Sequence, residues 1–258
     1  MKHIKMIVAD LDDTLLNSSK AVSSRNINAL QKCRDKGIMI GFATARSDFG
    51  ARLATDFFTP DVLIYDGGAV ALVGGKRVFA QSIDAKRATE FALKLHRHGI
   101  GFSTQGDGGY FNAYEVRTDY AVQKAVAGFR VEEFDPAIGF DVPINKINAR
   151  VALKSVSELL AHFPEIDALQ YSGEELVRIA HKDATKWHAI AATAKHLCIC
   201  ASEIVAFGDD VNDINMVKNC GTGVAMTNAI DEVKGVAQFL TKDNDSDGVA
   251  IWLEENIL

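Results

Sequence analysis

Short, continuous apolar runs alternating with helix-patterned stretches constrain this chain more than any other feature. Runs at 5–9, 38–43 and 62–65 carry almost no polar residue, as strands buried on both faces do. Between the first two, Ser23 or Ser24 can cap a helix whose apolar face holds Ile27, Leu30 and Cys33, and Gly37 ends it. The rhythm resumes near the C-terminus with a helix at 185–197, a strand at 204–207, a helix at 212–218 and a strand at 222–225. Strand, helix, strand in that order implies a parallel sheet with crossover helices. The texture between differs, with helices expected at 85–98, 118–127 and 155–162. Strands are expected there at 100–104, 110–114, 147–153, 167–171 and 175–180. The predicted organisation is an α/β chain: a doubly wound parallel-sheet core from 1–82 and 184–258, with an α+β module inserted at 83–183. A chain of 258 residues is long enough to bury both cores.

Two acidic clusters stand where ligands bind in such sheets, beyond the carboxyl ends of strands. The first is Asp10-Leu-Asp12-Asp13-Thr14; the second is Gly208-Asp209-Asp210-Val-Asn212-Asp213. Gathering so many carboxylates is electrostatically costly unless a hard cation sits among them, and an all-oxygen donor set favours Mg²⁺ over zinc. Thr44, ending the second strand, offers a hydroxyl to an anionic oxygen. Lys186, opening a helix, offers an ammonium beside free backbone N–H groups. The combination suits phosphoryl transfer through a carboxylate nucleophile, with a second carboxyl two residues on, Asp12, to exchange the proton.

The remaining composition narrows the class. A net charge of −6 argues against nucleic acid as the partner. No apolar run approaches the ~20 residues that cross a bilayer. Cys33, Cys198, Cys200 and Cys220 form neither a disulfide framework nor a zinc set, and are expected as buried thiols of a cytoplasmic protein. Asp243-Asn-Asp245-Ser-Asp247-Gly248 with Glu254 satisfies a calcium-loop pattern, but a strand precedes it where an entering helix is needed, so a calcium site is not expected.

These motifs, in this order, resemble the haloacid dehalogenase superfamily of hydrolases, and within it the Cof-like sugar phosphatases with the class IIB cap. Asp10-Leu-Asp-Asp-Thr14 matches the first motif, Thr44-Ala-Arg46 the second, Lys186 the third and Gly208–Asp213 the fourth. Gly223 through Asn228-Ala229, then Thr241 through Ala250, match the subfamily's C-terminal pattern. The resemblance spans the chain and implies a Rossmann-like core with an inserted cap that opens for exchange and closes over a small phosphorylated metabolite, most simply a sugar phosphate. It further implies Asp10 as nucleophile and Mg²⁺ ligand. Asp12 becomes the general acid/base and gives its backbone carbonyl to the metal. Asp209 is a further ligand, supported by Asp213, and Thr44, Lys186 and Asn212 hold the phosphoryl group, with Arg46 as a substrate contact. Ala45 and Gly67 replace a usual glycine and asparagine, and Trp187 follows the lysine, without removing a catalytic group. Two alternatives use similar residues: a phosphomutase of the same superfamily, and a non-enzymatic phospho-receiver module.

Overall fold

The computed structural model describes residues 3–106, 110–114 and 131–258. Its strands, numbered in chain order, are β1 (Met6–Ala9), β2 (Met39–Ala43), β3 (Val62–Tyr65), β4 (Val70–Val73), β5 (Lys76–Ala80), β6 (Phe102–Gly106) and β7 (Tyr110–Tyr114). They continue as β8 (Val131–Glu133), β9 (Ile144–Ala149), β10 (Ile166–Gln170), β11 (Val177–His181), β12 (Ile204–Gly208), β13 (Thr222–Ala225) and β14 (Phe239–Leu240). The chain folds into two compact units, one built from Met1–Ala80 and Thr185–Leu258, the other from Gln81–Ala184.

The first unit holds an eight-stranded sheet ordered β14-β13-β12-β1-β2-β3-β4-β5. The six strands from β14 to β3 run parallel, and β4 and β5 close one edge as an antiparallel hairpin. Every residue of β1, β3, β12 and β13 is buried, which is why they read as unbroken apolar runs. The chain enters in the middle at β1, winds outward through β2 and β3, and later winds the other way through β12 and β13. The order therefore reverses between β1 and β12, and at such a switch point the loops after neighbouring strands part to leave a crevice. Ser23 caps the helix Ser24–Asp35, its side chain accepting the Asn26 N–H.

The second unit is a six-stranded sheet ordered β10-β11-β9-β6-β7-β8, antiparallel except for β7 with β8. The helix Ala85–Arg97, capped by Asp84, turns Ala88, Phe91, Ala92 and Leu95 into a core shared with Phe102, Ile147, Ala149, Val177 and Ile179. Phe91 meets Phe163 edge-on at 5.1 Å between ring centres.

Several local expectations shift. β9 begins at Ile144, three residues before the apolar signal, because Asn145 and Lys146 belong to the strand. The helix expected at 155–162 is one turn at Lys154–Ser157 followed by a 3₁₀ turn at Leu159–His162. The helix expected from 212 begins at Ile214, after a 3₁₀ turn at Val211–Asp213. The helix Asp48–Ala54, between β2 and β3, had no place in the sequence reading. The helix expected at 118–127 lies outside the described residues. Cys33 and Cys220 are buried, but Cys198 and Cys200 are exposed, contrary to expectation, because they follow a helix end where nothing packs over them. Among the described residues no helix is long and apolar enough to cross a membrane.

Candidate active site

β1 lies between β12 and β2, so the residues that follow these three strands meet at one edge. Asp10 leaves β1 with its N–H donated to the Phe207 carbonyl of β12 at 3.0 Å. Asp209 leaves β12, and Thr44 leaves β2 with its N–H donated to Ile64 of β3 at 2.9 Å. Lys186 reaches the same edge from the first turn of the helix Lys186–His196, whose start is capped by Thr185. Gly68, at φ +101°, permits that approach: a Cβ there would overlap the Thr185 carbonyl carbon and the Lys186 nitrogen.

The ammonium of Lys186 is 2% exposed and donates to Asp10 Oδ1 at 2.6 Å and Asp213 Oδ1 at 2.5 Å. The other oxygen of Asp213 accepts the backbone N–H groups of Asp209 at 3.1 Å and Asp210 at 3.2 Å. Asp213 thus fastens the lysine to the loop after β12. Gly208 makes room for it, since a Cβ at 208 would lie 2.5 Å from the Asp213 Cβ. Thr14 donates its hydroxyl to Asp209 Oδ1 at 2.5 Å, joining the two acidic loops directly.

Asp10, Asp209 and Asp213 each offer a carboxylate oxygen within 4.8 Å of the others. Three carboxylates against one ammonium leave two negative charges in a buried place, where they are expensive. Burial, resisted by Lys186 and reinforced by Asp213, pushes the Asp10 carboxyl up to about 7. Burial, with Asp10 and Asp213 nearby, pushes Asp209 up to about 9. Lys186 moves above the ordinary lysine value: burial opposes its charge, but Asp10 and Asp213 outweigh it. A hard divalent cation fits this all-oxygen set because it supplies the missing positive charge. Both oxygens of Asp213 are already engaged, which leaves Asp10 and Asp209 as the better-placed ligands.

Asp12 faces differently. Arg46 grips it in a two-pronged pair, Nε to Oδ2 and Nη2 to Oδ1, each at 2.7 Å, and Lys20 approaches Oδ1 at 3.3 Å. Burial would raise this carboxyl, but the Arg46 bonds and charge, with Lys20, hold it below the usual carboxylate range. Arg46 is therefore bound to Asp12, where the sequence reading had given it only a substrate contact. The Thr44 side chain is fully buried, and its hydroxyl accepts the Arg46 N–H at 3.1 Å. Asn212 is buried, and its amide nitrogen has no hydrogen-bond partner among the described residues, as expected of a donor reserved for a ligand.

All eight residues singled out from the sequence follow β1, β2 and β12 or open the Lys186 helix. Thr14 lay in view within the first motif without a task, whereas nothing local marked Lys20. The C-terminal acidic loop has other employment: Asp245 accepts Ser18 with both oxygens, Asp243 accepts the Ser246 N–H, and Glu254 pairs with Arg25.

Comparisons with known proteins agree with this construction. The family model for haloacid dehalogenase-like hydrolases matches residues 7–253. Phosphatase YwpJ of Bacillus subtilis (strain 168) is 29% identical over 282 residues, covering 96% of this chain and 98% of that protein. The 5-amino-6-(5-phospho-D-ribitylamino)uracil phosphatase YwtE of the same organism is 26% identical over 286 residues, covering 98% of each. The solved structure of a haloacid dehalogenase-like hydrolase from B. subtilis superposes with a TM-score of 0.84 at 26% identity, over 99% of this chain and 100% of that one. With strand order, site and sequence in agreement, the chain belongs to the haloacid dehalogenase-like hydrolases, as one of their phosphatases.

Proposed function

We propose that this phosphatase is Mg²⁺-dependent and cleaves the monoester of a small phosphorylated metabolite, a sugar phosphate, through a phosphoaspartate on Asp10. The observation that carries the reading is the buried Asp10 carboxylate at a strand end, 2.6 Å from the Lys186 ammonium and grouped with Asp209 and Asp213. A relative named for a 5-phospho-D-ribitylamino substrate supports a phosphorylated polyol chain as the kind of molecule turned over.

Asp10 attacks phosphorus with one carboxylate oxygen, the ester P–O bond breaks, and Asp12 gives its proton to the departing alkoxide. Asp12, now ionised, takes a proton from water, and the hydroxide displaces Asp10 from phosphorus to release inorganic phosphate. Lys186, Thr44 and Asn212 hold the phosphoryl oxygens, and Lys186 offsets the repulsion between two anions. Asp10, Asp209 and the Asp12 carbonyl would hold Mg²⁺, which would supply further charge neutralisation. Arg46 and Lys20 hold Asp12 ionised at rest. An entering phosphate ester competes for these cations, and their release lets Asp12 take up the proton it delivers.

The test is phosphate release from a panel of sugar phosphates with Mg²⁺, with and without EDTA, beside the Asp10→Asn variant. Turnover that needs both Mg²⁺ and Asp10 is expected, and ³²P retained on acid-quenched enzyme reports the phosphoaspartate. Full turnover by Asp10→Asn would overturn the mechanism. Transfer of phosphate to a second position of the sugar, without release, would replace hydrolase by mutase.

A further inference from the structure

The segment 12–20, which carries Asp12, is held along its length by residues near the C-terminus. Asn228 Nδ2 donates to the Asp13 carbonyl at 2.7 Å. Asn244 Nδ2, on a 6% exposed side chain, donates to the Leu16 carbonyl at 3.0 Å. Asp245 accepts the Ser18 N–H at 2.8 Å and its hydroxyl at 2.6 Å. The two asparagines are themselves joined, since Asn228 Oδ1 accepts the Asn244 N–H at 3.3 Å. The 241–248 turn is braced in turn by the Thr241 hydroxyl, which donates to the Gly248 carbonyl at 2.6 Å.

The bond from Asn228 falls where it matters most. Asp13 sits at φ 58°, a left-handed conformation that a non-glycine residue keeps only when its surroundings hold it. That turn immediately follows Asp12 and sets the direction in which its carboxyl points. Within the segment Leu15 and Leu16 donate to the Leu11 carbonyl, which shapes the turn but does not tie it to the rest of the core. Beside the Thr14 bond to Asp209 and the Arg46 pair with Asp12, the asparagines and Asp245 add attachments to the backbone itself, from residues more than two hundred positions away in the chain.

We infer that Asn228 and Asn244, assisted by Asp245, are positioning residues for the general acid/base, a clasp that fixes Asp12 in line with the departing alkoxide. The inference rests on the proposed role of Asp12. An amide is needed at both asparagines because each must donate to a carbonyl. Aspartate has nearly the same shape but presents only acceptors, so it turns attraction into repulsion at Asp13 or Leu16. Misplacing a catalytic group by about 1 Å can cost on the order of 100-fold, and the loss falls on the step that uses that group.

The experiment compares two esters, a hexose 6-phosphate whose alkoxide needs a proton and 4-nitrophenyl phosphate whose phenolate does not. Asn228→Asp and Asn244→Asp are expected to lower kcat/KM, which ends at the departure of the leaving group, by about 10-fold or more on the hexose phosphate. On the nitrophenyl ester the loss in kcat/KM is expected to stay within about threefold, while kcat falls on both esters because Asp12 also serves as the base for the shared phosphoenzyme. Asp12→Asn serves as the benchmark and shows the same selectivity more strongly, and Asn228→Gln, which keeps the amide, recovers part of the loss. Deuterium exchange of the peptide spanning 11–20 quickens in both aspartate variants, and this readout needs no turnover. Equal losses in kcat/KM on the two esters, beside an Asp12→Asn that is selective in kcat/KM, would overturn the inference. If the wild type cleaves neither ester, the proposed function fails, and unchanged exchange in the variants would overturn the clasp separately.

Discussion

Lys186 and Asp213, twenty-seven residues apart, meet at 2.5 Å with almost no exposure to solvent, and each has a second obligation. The lysine also holds Asp10, and the aspartate also holds the backbone of Asp209 and Asp210. The pair therefore couples the position of the proposed nucleophile to the position of the second acidic loop. Breaking a buried pair by removing one partner typically costs about 3–5 kcal/mol. Asp213→Ala is expected to lose about 3 kcal/mol in urea unfolding, and to lose turnover as well. A loss below about 1 kcal/mol would mean that the pair behaves like one at the surface.

Removing the metal is expected to make stability depend on pH in a definite direction. Asp10 and Asp209, at about 7 and about 9 in the folded metal-free protein, both lie above the ordinary aspartate value of 3.8. Between pH 4 and 9 the native state thus holds more protons than the unfolded one, so stability falls as pH rises. The melting temperature in EDTA should drop across this window, and the gain from saturating Mg²⁺ should grow with pH. Calorimetry at pH 7 in buffers of different ionisation heat should find roughly one to two protons released per Mg²⁺ bound. A gain from Mg²⁺ that shrinks with pH would contradict this account.

Arg46 bears on the proton itself. Its two 2.7 Å bonds outweigh the burial that would otherwise raise Asp12. Arg46→Gln removes the charge, so the Asp12 carboxyl should rise. In the proposed hydrolysis of the phosphoenzyme Asp12 would act as a base, so the acidic limb of the kcat–pH profile should move to higher pH. An unmoved limb would mean that another group governs it.

Gly208 tests the packing around the lysine pair. An added methyl would lie 2.5 Å from the Asp213 Cβ, on a buried side chain that Lys186 holds and that has little room to yield. Gly208→Ala should push Asp213 away from Lys186 and lower kcat by about 10-fold or more. Gly75→Ala serves as the control, in an open hairpin turn where a Cβ meets nothing within 4 Å. Its cost should be confined to the strain of φ +78°, with kcat unaffected.

Much of this protein was legible because burial on both faces leaves a plain trace. β1, β3, β12 and β13 are short apolar runs, and each of the acidic motifs follows directly on one of them. The start of β9 was not legible, since a polar residue there satisfies a tertiary partner instead of a local period, and no local pattern marked the division of the stretch after 153 into two short turns. Asn145, within β9, is bonded by the Ser82 hydroxyl at 2.7 Å.

The sequence by itself determined the α/β class, the acidic motifs and the chemistry that carboxylates at strand ends, a lysine and an oxygen-only donor set can perform. Only the tertiary structure decided the pairings: Arg46 with Asp12, Thr14 with Asp209, Asp213 with Lys186, and Asn228 with the Asp13 carbonyl. The physical reason is range. Strand patterns and motif spacing record interactions with solvent and near neighbours, which repeat along the chain. A hydrogen bond between residues some two hundred positions apart, 215 for Asn228 and Asp13, leaves no period, and exists only once the sheet order has brought its two ends within 3 Å.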